Sequence, residues 1–299
     1  MTPATPGRPF GALLTAMVTP MSPDGSVDVD AAVALAKHLV AHGHDGLVLN
    51  GTTGEAPTTH APEKAELVRA VVEAVGDQAY VVAGAGSNDT AHAVRMAEQA
   101  ADAGAHGLLV VTPYYSRPSQ EGVYRHTVAI ADATDLPVML YDVPARTVVR
   151  YAPETLDRLA EHPRIVAIKD ATGDVVGVLR GVARTGLAYY SGDDAVLLPF
   201  LAAGAVGLVS MAAHLVGDEL AGVIRAFDDG RVAEAREAFV RLLPLIDLVC
   251  GSGNGALRAK TALHLLGLIP SPTMRLPQVA ADADETEHVR GVLVSAGLL

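Results

Sequence analysis

The feature that most constrains this chain is a repeated alternation of two kinds of segment. Eight short apolar runs, at residues 13–18, 46–50, 80–84, 107–112, 137–143, 165–169, 187–191 and 207–211, are separated by longer stretches of helical periodicity. Most runs are near-continuous in Val, Leu, Ile and Ala, the pattern of parallel strands buried on both faces. In the segment after Pro62, Leu67, Val68, Val71, Val72 and Val75 form one apolar stripe behind an acidic first turn of Glu63 and Glu66. Asn88 and Ser119 stand as N-caps of the next two helices. Eight strand–helix units predict a closed (β/α)8 TIM barrel. An open doubly wound sheet would share the alternation, but Gly84-Ala85-Gly86 is followed by Ser87-Asn88-Asp89, without the third glycine of a dinucleotide-binding turn.

From about Asp229 the strands stop. Residues 231–249, 254–266 and 285–298 read as successive helices. The expected organisation is a barrel over residues 1–228 that carries the active site, with a helical extension over 229–299 packed on it.

A chain of 299 residues is long enough for such a barrel, which needs roughly 250. Its formal charge of −12 argues against nucleic acid or an anionic membrane as partner, since both require basic patches. Trp is absent, so no tryptophan platform for sugar stacking exists. Cys250 is the single cysteine, which rules out an intramolecular disulfide and fits the cytoplasm; it ends the apolar run 245–249 and reads as a packed core residue. The opening MTPATPGRPFG has neither a cationic leader nor an apolar segment of a secretion signal, and no uninterrupted apolar stretch reaches membrane-spanning length.

In a barrel of this kind, chemistry belongs where strands end and the following loops begin. Lys169 closes the apolar run 165–168, which directs its amine into the barrel mouth. Desolvation there disfavours the cation and favours a neutral nucleophile able to form imines with ketones. A structural lysine paired with Asp170 fits the same position, and position alone does not choose between them. Tyr115, Tyr141 and Thr52 are hydroxyls at neighbouring strand ends and can relay protons, although each read singly is an ordinary core or turn residue. Thr52-Thr53, flanked by Gly51 and Gly54, suits a tight turn that offers backbone N–H groups to a carboxylate. Arg146 suits a bidentate grip on a second acidic substrate, or a surface ion pair. No metal set emerges: His42 and His44 read as a solvated helix end, and Asp193-Asp194 as caps of the next helix.

Taken in order, GTTGE at 51–55, TPYYSRPSQEG at 112–122, YDVPAR at 141–146, IKDATG at 168–173 and SGDD at 191–194 resemble the dihydrodipicolinate synthase family. That family lies within a wider group of pyruvate-dependent aldolases that includes N-acetylneuraminate lyase. The motifs carry the resemblance from about Gly11 to Met211 and less strongly beyond. The resemblance implies that Lys169 is the Schiff-base lysine and Tyr141 its proton donor and acceptor. It implies that Thr52 and Tyr115 complete the relay, with Tyr115 serving a neighbouring subunit's site. Thr53 would bind the pyruvate carboxylate, Gly192 and Val209 would line that pocket, and Arg146 would hold the carboxylate of L-aspartate 4-semialdehyde. The implied reaction is condensation of those two substrates to 4-hydroxy-tetrahydrodipicolinate, without a dissociable cofactor, by a homotetramer built as a dimer of dimers. Two features depart from the family's habit: Val148 follows Thr147 where a glycine is frequent, and 253–258 lacks the common proline. Rival readings are an aldolase of sialic or 2-keto-3-deoxy sugar acids, against which Arg146 speaks, and a non-catalytic carboxylate-binding regulator, which would need no imine-forming amine. Lysine-sensitive members of the family place a serine, histidines and a glutamate where this chain has Ala56, Ala61, Lys64 and His92, with Asn88 and Tyr114 kept. The expectation is weak or absent inhibition by lysine.

Overall fold

The computed structural model describes residues 7–251 and 253–299. Eight parallel strands close in sequence order, β1 next to β2 and so on round to β8 against β1. They are β1 Leu13–Ala16, β2 Gly46–Leu49, β3 Tyr80–Gly84, β4 Gly107–Val111, β5 Val138–Asp142, β6 Ile165–Asp170, β7 Ala188–Ser191 and β8 Gly207–Ser210. The expected barrel is therefore the observed one. Five of the strands end one or two residues before the apolar runs do. Asn50, for example, follows β2 with φ +56° and turns the chain into the loop that carries Thr52.

Helices α1 Val29–Ala41, α2 Ala61–Val75, α3 Thr90–Asp102, α4 Gln120–Asp132, α5 Pro144–Thr147, α6 Pro153–Ala160, α7 Val175–Thr185, α8 Leu197–Ala202 and α9 Ala213–Asp228 surround the strands. Two loops carry extra elements: α5 precedes α6, and a 3-10 turn at Asp194–Val196 precedes α8. In α2, Leu67, Val68, Val71 and Val75 are buried, as the stripe requires, while Val72 is half-buried. Ser119 caps α4 by accepting from Gly122 N–H. The cap of α3 is not Asn88 but Asp89, whose carboxylate accepts from the N–H groups of Ala91 and His92. Adjacent Asx residues are equivalent in sequence, and the backbone decides which one faces the helix end.

One apolar cluster packs between strands and helices, and a second fills the barrel. Phe10 belongs to the second. Its ring meets Tyr80 edge-on at 6.0 Å, and an added Cβ on Gly107 would lie 2.5 Å from it. Both residues begin strands, so Phe10 plugs the end opposite the expected site. Only the C-terminal mouth is left for chemistry.

Beyond α9, α10 Val232–Cys250, α11 Gly255–Leu265 and α12 Ala283–Ser295 form the helical extension, with α10 packed along α9 and α11 against α10. Three side chains differ from their expected setting. Cys250 is half-buried, and its thiol donates to the Asp194 carboxylate at 3.3 Å. Asp193 does cap the 3-10 turn, but Asp194 is buried and binds Ser210 Oγ and the N–H groups of Met211 and Ala212. His42 is exposed, as a helix end should be, whereas His44 is buried, and desolvation pushes its pKa down to about 4. Among the described residues no helix is long and apolar enough to cross a membrane. Residues 1–6, part of the opening segment read as lacking a secretion signal, lie outside the described residues.

Candidate active site

Period-two alternation in the strands decides which side chains reach the barrel interior. The register places Tyr141 of β5 beside Lys169 of β6, and Lys169 beside Tyr190 of β7. Lys169 is 6% exposed, and its Nζ lies 4.5 Å from the centre of the Tyr141 ring. Among the described residues no carboxylate stands within ion-pair distance of that amine. Asp170 faces the other way and accepts from the N–H and hydroxyl of Thr172. The structural-lysine reading required a partner that is not there. Tyr190 is committed elsewhere, its hydroxyl donating to the Gly11 carbonyl at 2.9 Å.

Gly192, immediately after β7, leaves room for the lysine stem. A Cβ there would stand 2.9 Å from Lys169 Cγ and 3.0 Å from Ala171 Cβ. Val209 of β8 is buried in the same interior cluster as Tyr141.

The turn after β2 is tight. Glu55 N–H donates to the Thr52 carbonyl at 3.1 Å and Ala56 N–H to the Gly51 carbonyl at 3.2 Å. The N–H groups of Thr52 and Thr53 make no hydrogen bond among the described residues. Thr52 is exposed; Thr53 is buried, with its hydroxyl 3.9 Å from Met211 Sδ. That contact of Met211 had no sequence signal, because it joins loops 158 residues apart.

Arg146 sits on the short helix α5, exposed and without an ion pair among the described residues, so the surface-pair reading fails. The segment is pinned by Thr147, whose hydroxyl bonds Thr112 Oγ1 at 2.9 Å and the Val143 carbonyl at 3.2 Å. Val148, where a glycine is frequent in the resembling sequences, takes φ +67°. A β-branched residue in the left-handed region is strained, and glycine would relieve it.

Tyr141, Thr52, Arg146 and Tyr114 line one cavity of about 450 Å3 that extends under α2 and α3 to Lys64, His92 and Met96. Thr52, Thr53 and Arg146 also line a cleft of about 190 Å3 against Asn254 and Gln278 of the extension. Lys169 borders neither directly and reaches the larger one through Tyr141. No Asp or Glu lines the larger cavity, whereas His60, Lys64, His92 and Arg146 do. Tyr115 is the outlier: it is 88% exposed at φ +72° and lines neither the cavity nor the cleft.

The sequence profile of the dihydrodipicolinate synthetase family matches residues 9–296. The chain belongs to this family. The match runs through the helical extension, farther than the motifs alone carry it. A relative from Streptomyces coelicolor, named 4-hydroxy-tetrahydrodipicolinate synthase 2, is 54% identical over 295 residues, covering 99% of this chain and 98% of its own. The Kineococcus radiotolerans protein, named 4-hydroxy-tetrahydrodipicolinate synthase, is 52% identical over 297 residues, with 99% and 96% covered. Among solved structures, DHDPS from Cyanidioschyzon merolae with lysine bound superposes with a TM-score of 0.93 at 41% identity, covering 97% of this chain and 99% of that one. The chloride-inhibited dihydrodipicolinate synthase of Acinetobacter baumannii complexed with pyruvate gives 0.91 at 35%, covering 97% and 100%.

In this dihydrodipicolinate synthetase family member, a buried carboxylate pair backs the site. Asp142 and Asp170 follow Tyr141 and Lys169 on adjacent strands and stand in register on the opposite face. Burial, then the Asp170 charge, pushes the Asp142 pKa up to about 7. Burial raises Asp170 as well. A carboxyl whose folded pKa lies above its unfolded value stabilises fully below that unfolded value, near 3.8, and the contribution is lost as pH rises to about 7. Asp142→Asn should therefore gain stability on the wild type from pH 4 to 7, by on the order of 2–4 kcal/mol, and no further above. Urea midpoints measured at pH 4.5, 6 and 7.5 check this; a constant difference across the series would contradict it.

Proposed function

We propose that this family member is a 4-hydroxy-tetrahydrodipicolinate synthase that condenses pyruvate with L-aspartate 4-semialdehyde, on the route to diaminopimelate and lysine. The observation that carries the reading is Lys169: a buried amine with no counterion among the described residues, beside a tyrosine that lines a cavity without a carboxylate. Both substrates are anions, and a basic cavity in an acidic chain favours their entry. The names of the relatives from Streptomyces coelicolor and Kineococcus radiotolerans point the same way.

In this reading the neutral amine of Lys169 attacks C2 of pyruvate, and the carbinolamine loses water to give an imine. Tyr141, Thr52 and a neighbouring subunit's copy of Tyr115 carry the protons. The unpaired N–H groups of Thr52 and Thr53, with the Thr53 hydroxyl, hold the pyruvate carboxylate, while Gly192 and Val209 shape the pocket. Loss of a methyl proton gives the enamine, whose carbon bonds to the aldehyde carbon of the semialdehyde while Arg146 grips that substrate's carboxylate. The amino group of the second substrate then attacks the imine carbon, closes the ring and releases Lys169. No dissociable cofactor enters this sequence. The cytoplasm, where both substrates are metabolised, is the compartment we assign.

Borohydride should trap pyruvate on Lys169, and Lys169→Ala should abolish the adduct. Arg146→Ala should leave trapping intact but lower kcat/KM for the semialdehyde by on the order of 30- to 1000-fold, the worth of a lost charge-assisted contact. Peptide mass spectrometry and a coupled assay read both effects. An adduct on Lys260, Lys64 or Lys37 would refute the assignment of the nucleophile. Turnover of a keto-deoxy sugar acid in place of the semialdehyde would move the protein to the aldolase branch.

The exposed ring of Tyr115 supports an assembly of at least two chains, and we propose a tetramer made of two such pairs. Burial of a large aromatic at a subunit interface is favourable, and a left-handed backbone holds this one out from its own chain. Sedimentation velocity should show no active monomer.

Lysine is a dication with one carboxylate near neutral pH, so its site needs acceptors. Here Lys64 and His92 line the cavity lobe beside Tyr114, and the Lys64 ammonium donates to the Ala56 carbonyl at 2.9 Å. Burial pushes the Lys64 pKa down, and any residual charge repels a cationic effector. Titration calorimetry and assays with millimolar lysine should show weak binding at most and little loss of rate; saturable inhibition would mean that other residues build an effector site.

A further inference from the structure

The turn that presents Thr52 and Thr53 is held from outside the barrel. Its last residue, Glu55, has φ +57° and a buried side chain, so the carboxylate points inward beneath the turn. One oxygen accepts from Lys260 Nζ of α11 at 2.5 Å, and the other from the backbone N–H of Arg275 at 3.0 Å. Lys260 is fully buried and donates also to the Thr273 carbonyl at 2.7 Å. Arg275 reaches on with its guanidinium to the Gly25 and Thr58 carbonyls at 2.7 and 2.8 Å and to Glu63 at the start of α2. The Glu55 carbonyl accepts from Thr58 and Thr59 N–H, at 3.0 and 3.2 Å. A second link runs in parallel: Gly255, which opens α11, packs so closely on Met211 that an added Cβ would lie 2.3 Å from its methyl, and Met211 touches Thr53.

A buried ion pair of this kind adds little net stability over a packed apolar pair, and its use lies in fixing geometry. We propose that Lys260, with Glu55, is a positioning pair through which the helical extension sets the Thr52–Thr53 turn for the pyruvate carboxylate. This rests on the proposed role of that turn. The extension is then part of the active site's scaffold, although no residue of α11 touches the reacting amine. Removing Lys260 leaves Glu55 buried without its partner, and relief requires the carboxylate to move and the turn with it. A misplacement of about 1 Å at a substrate-holding group costs on the order of a hundredfold.

The test measures the pyruvate concentration that half-saturates borohydride trapping on Lys169, together with the KM of each substrate, in full-length Lys260→Met, Glu55→Gln and the double variant. Each single variant should raise half-saturation for pyruvate about 10- to 100-fold and leave the KM for the semialdehyde within about twofold. The double variant should be no worse than the poorer single one, because both remove one link. If Lys260→Met does not fold, Glu55→Asp keeps the charge but draws the carboxylate back by one methylene, and the same rise is expected. A uniform loss of active sites with unchanged half-saturation, or half-saturation within about twofold of wild type in folded variants, would overturn the positioning role while wild-type trapping upholds the proposed function. Failure of the wild type to trap pyruvate at all would overturn both.

Discussion

Closure of a parallel barrel imposes a strict alternation, since each strand residue faces either the packed interior or the ring of helices. Everything at the mouth follows from which residues fall on the inward phase at the ends of β5, β6 and β8. Tyr141, Lys169 and Val209 point inward and form one group. Asp142 and Asp170, one position later, point out and are kept from the amine by the thickness of a single strand layer. Shifting β6 by one residue would exchange the amine for the Asp170 carboxylate, and shifting β5 would put Asp142 in the place of Tyr141. Phe10 plugs the other end, so the interior communicates with solvent on one side only.

Charge is then distributed by burial. The chain carries −12 overall, yet the cavity beside Tyr141 is lined by Arg, Lys and His without a carboxylate. The acidic groups nearby are either turned away, as Asp142 and Asp170 are, or consumed in binding protein donors. Glu55 is spent on Lys260 and Arg275, and Asp194 on Ser210, Met211, Ala212 and Cys250. Two buried lysines thus have opposite settings. Lys260 is paired and holds architecture, while Lys169 has no counterion among the described residues.

The loops are held by tertiary bonds and not by their own propensities. Thr112 and Thr147 tie the segment of Arg146 to the end of β4, against the strain of Val148 in the left-handed region. The turn at 51–55 depends on α11 and on the non-helical segment around Arg275 that follows it. Such loops keep the freedom to vary in sequence while a rigid scaffold sets their position.

Hydrophobic periodicity by itself determined the barrel, the order of its strands and the helical tail, because an apolar run buried on both faces has few other destinations. It also brought Lys169, Tyr141, Thr52 and Arg146 to strand ends, since the motif residues directly follow those runs. Single positions were less legible: Asp89 and not Asn88 caps α3, and His44 is buried where its neighbour His42 is exposed. Only the tertiary structure decided that Lys169 lacks a partner while Lys260 has one. The two carboxylates that matter, Asp170 and Glu55, lie one and 205 residues away from those lysines, and neither separation predicts the outcome. The reason is physical. Alternation turns the near carboxylate to the other face of its strand, and packing of the helical extension on the barrel brings Lys260 of α11 beneath the turn that carries the distant one.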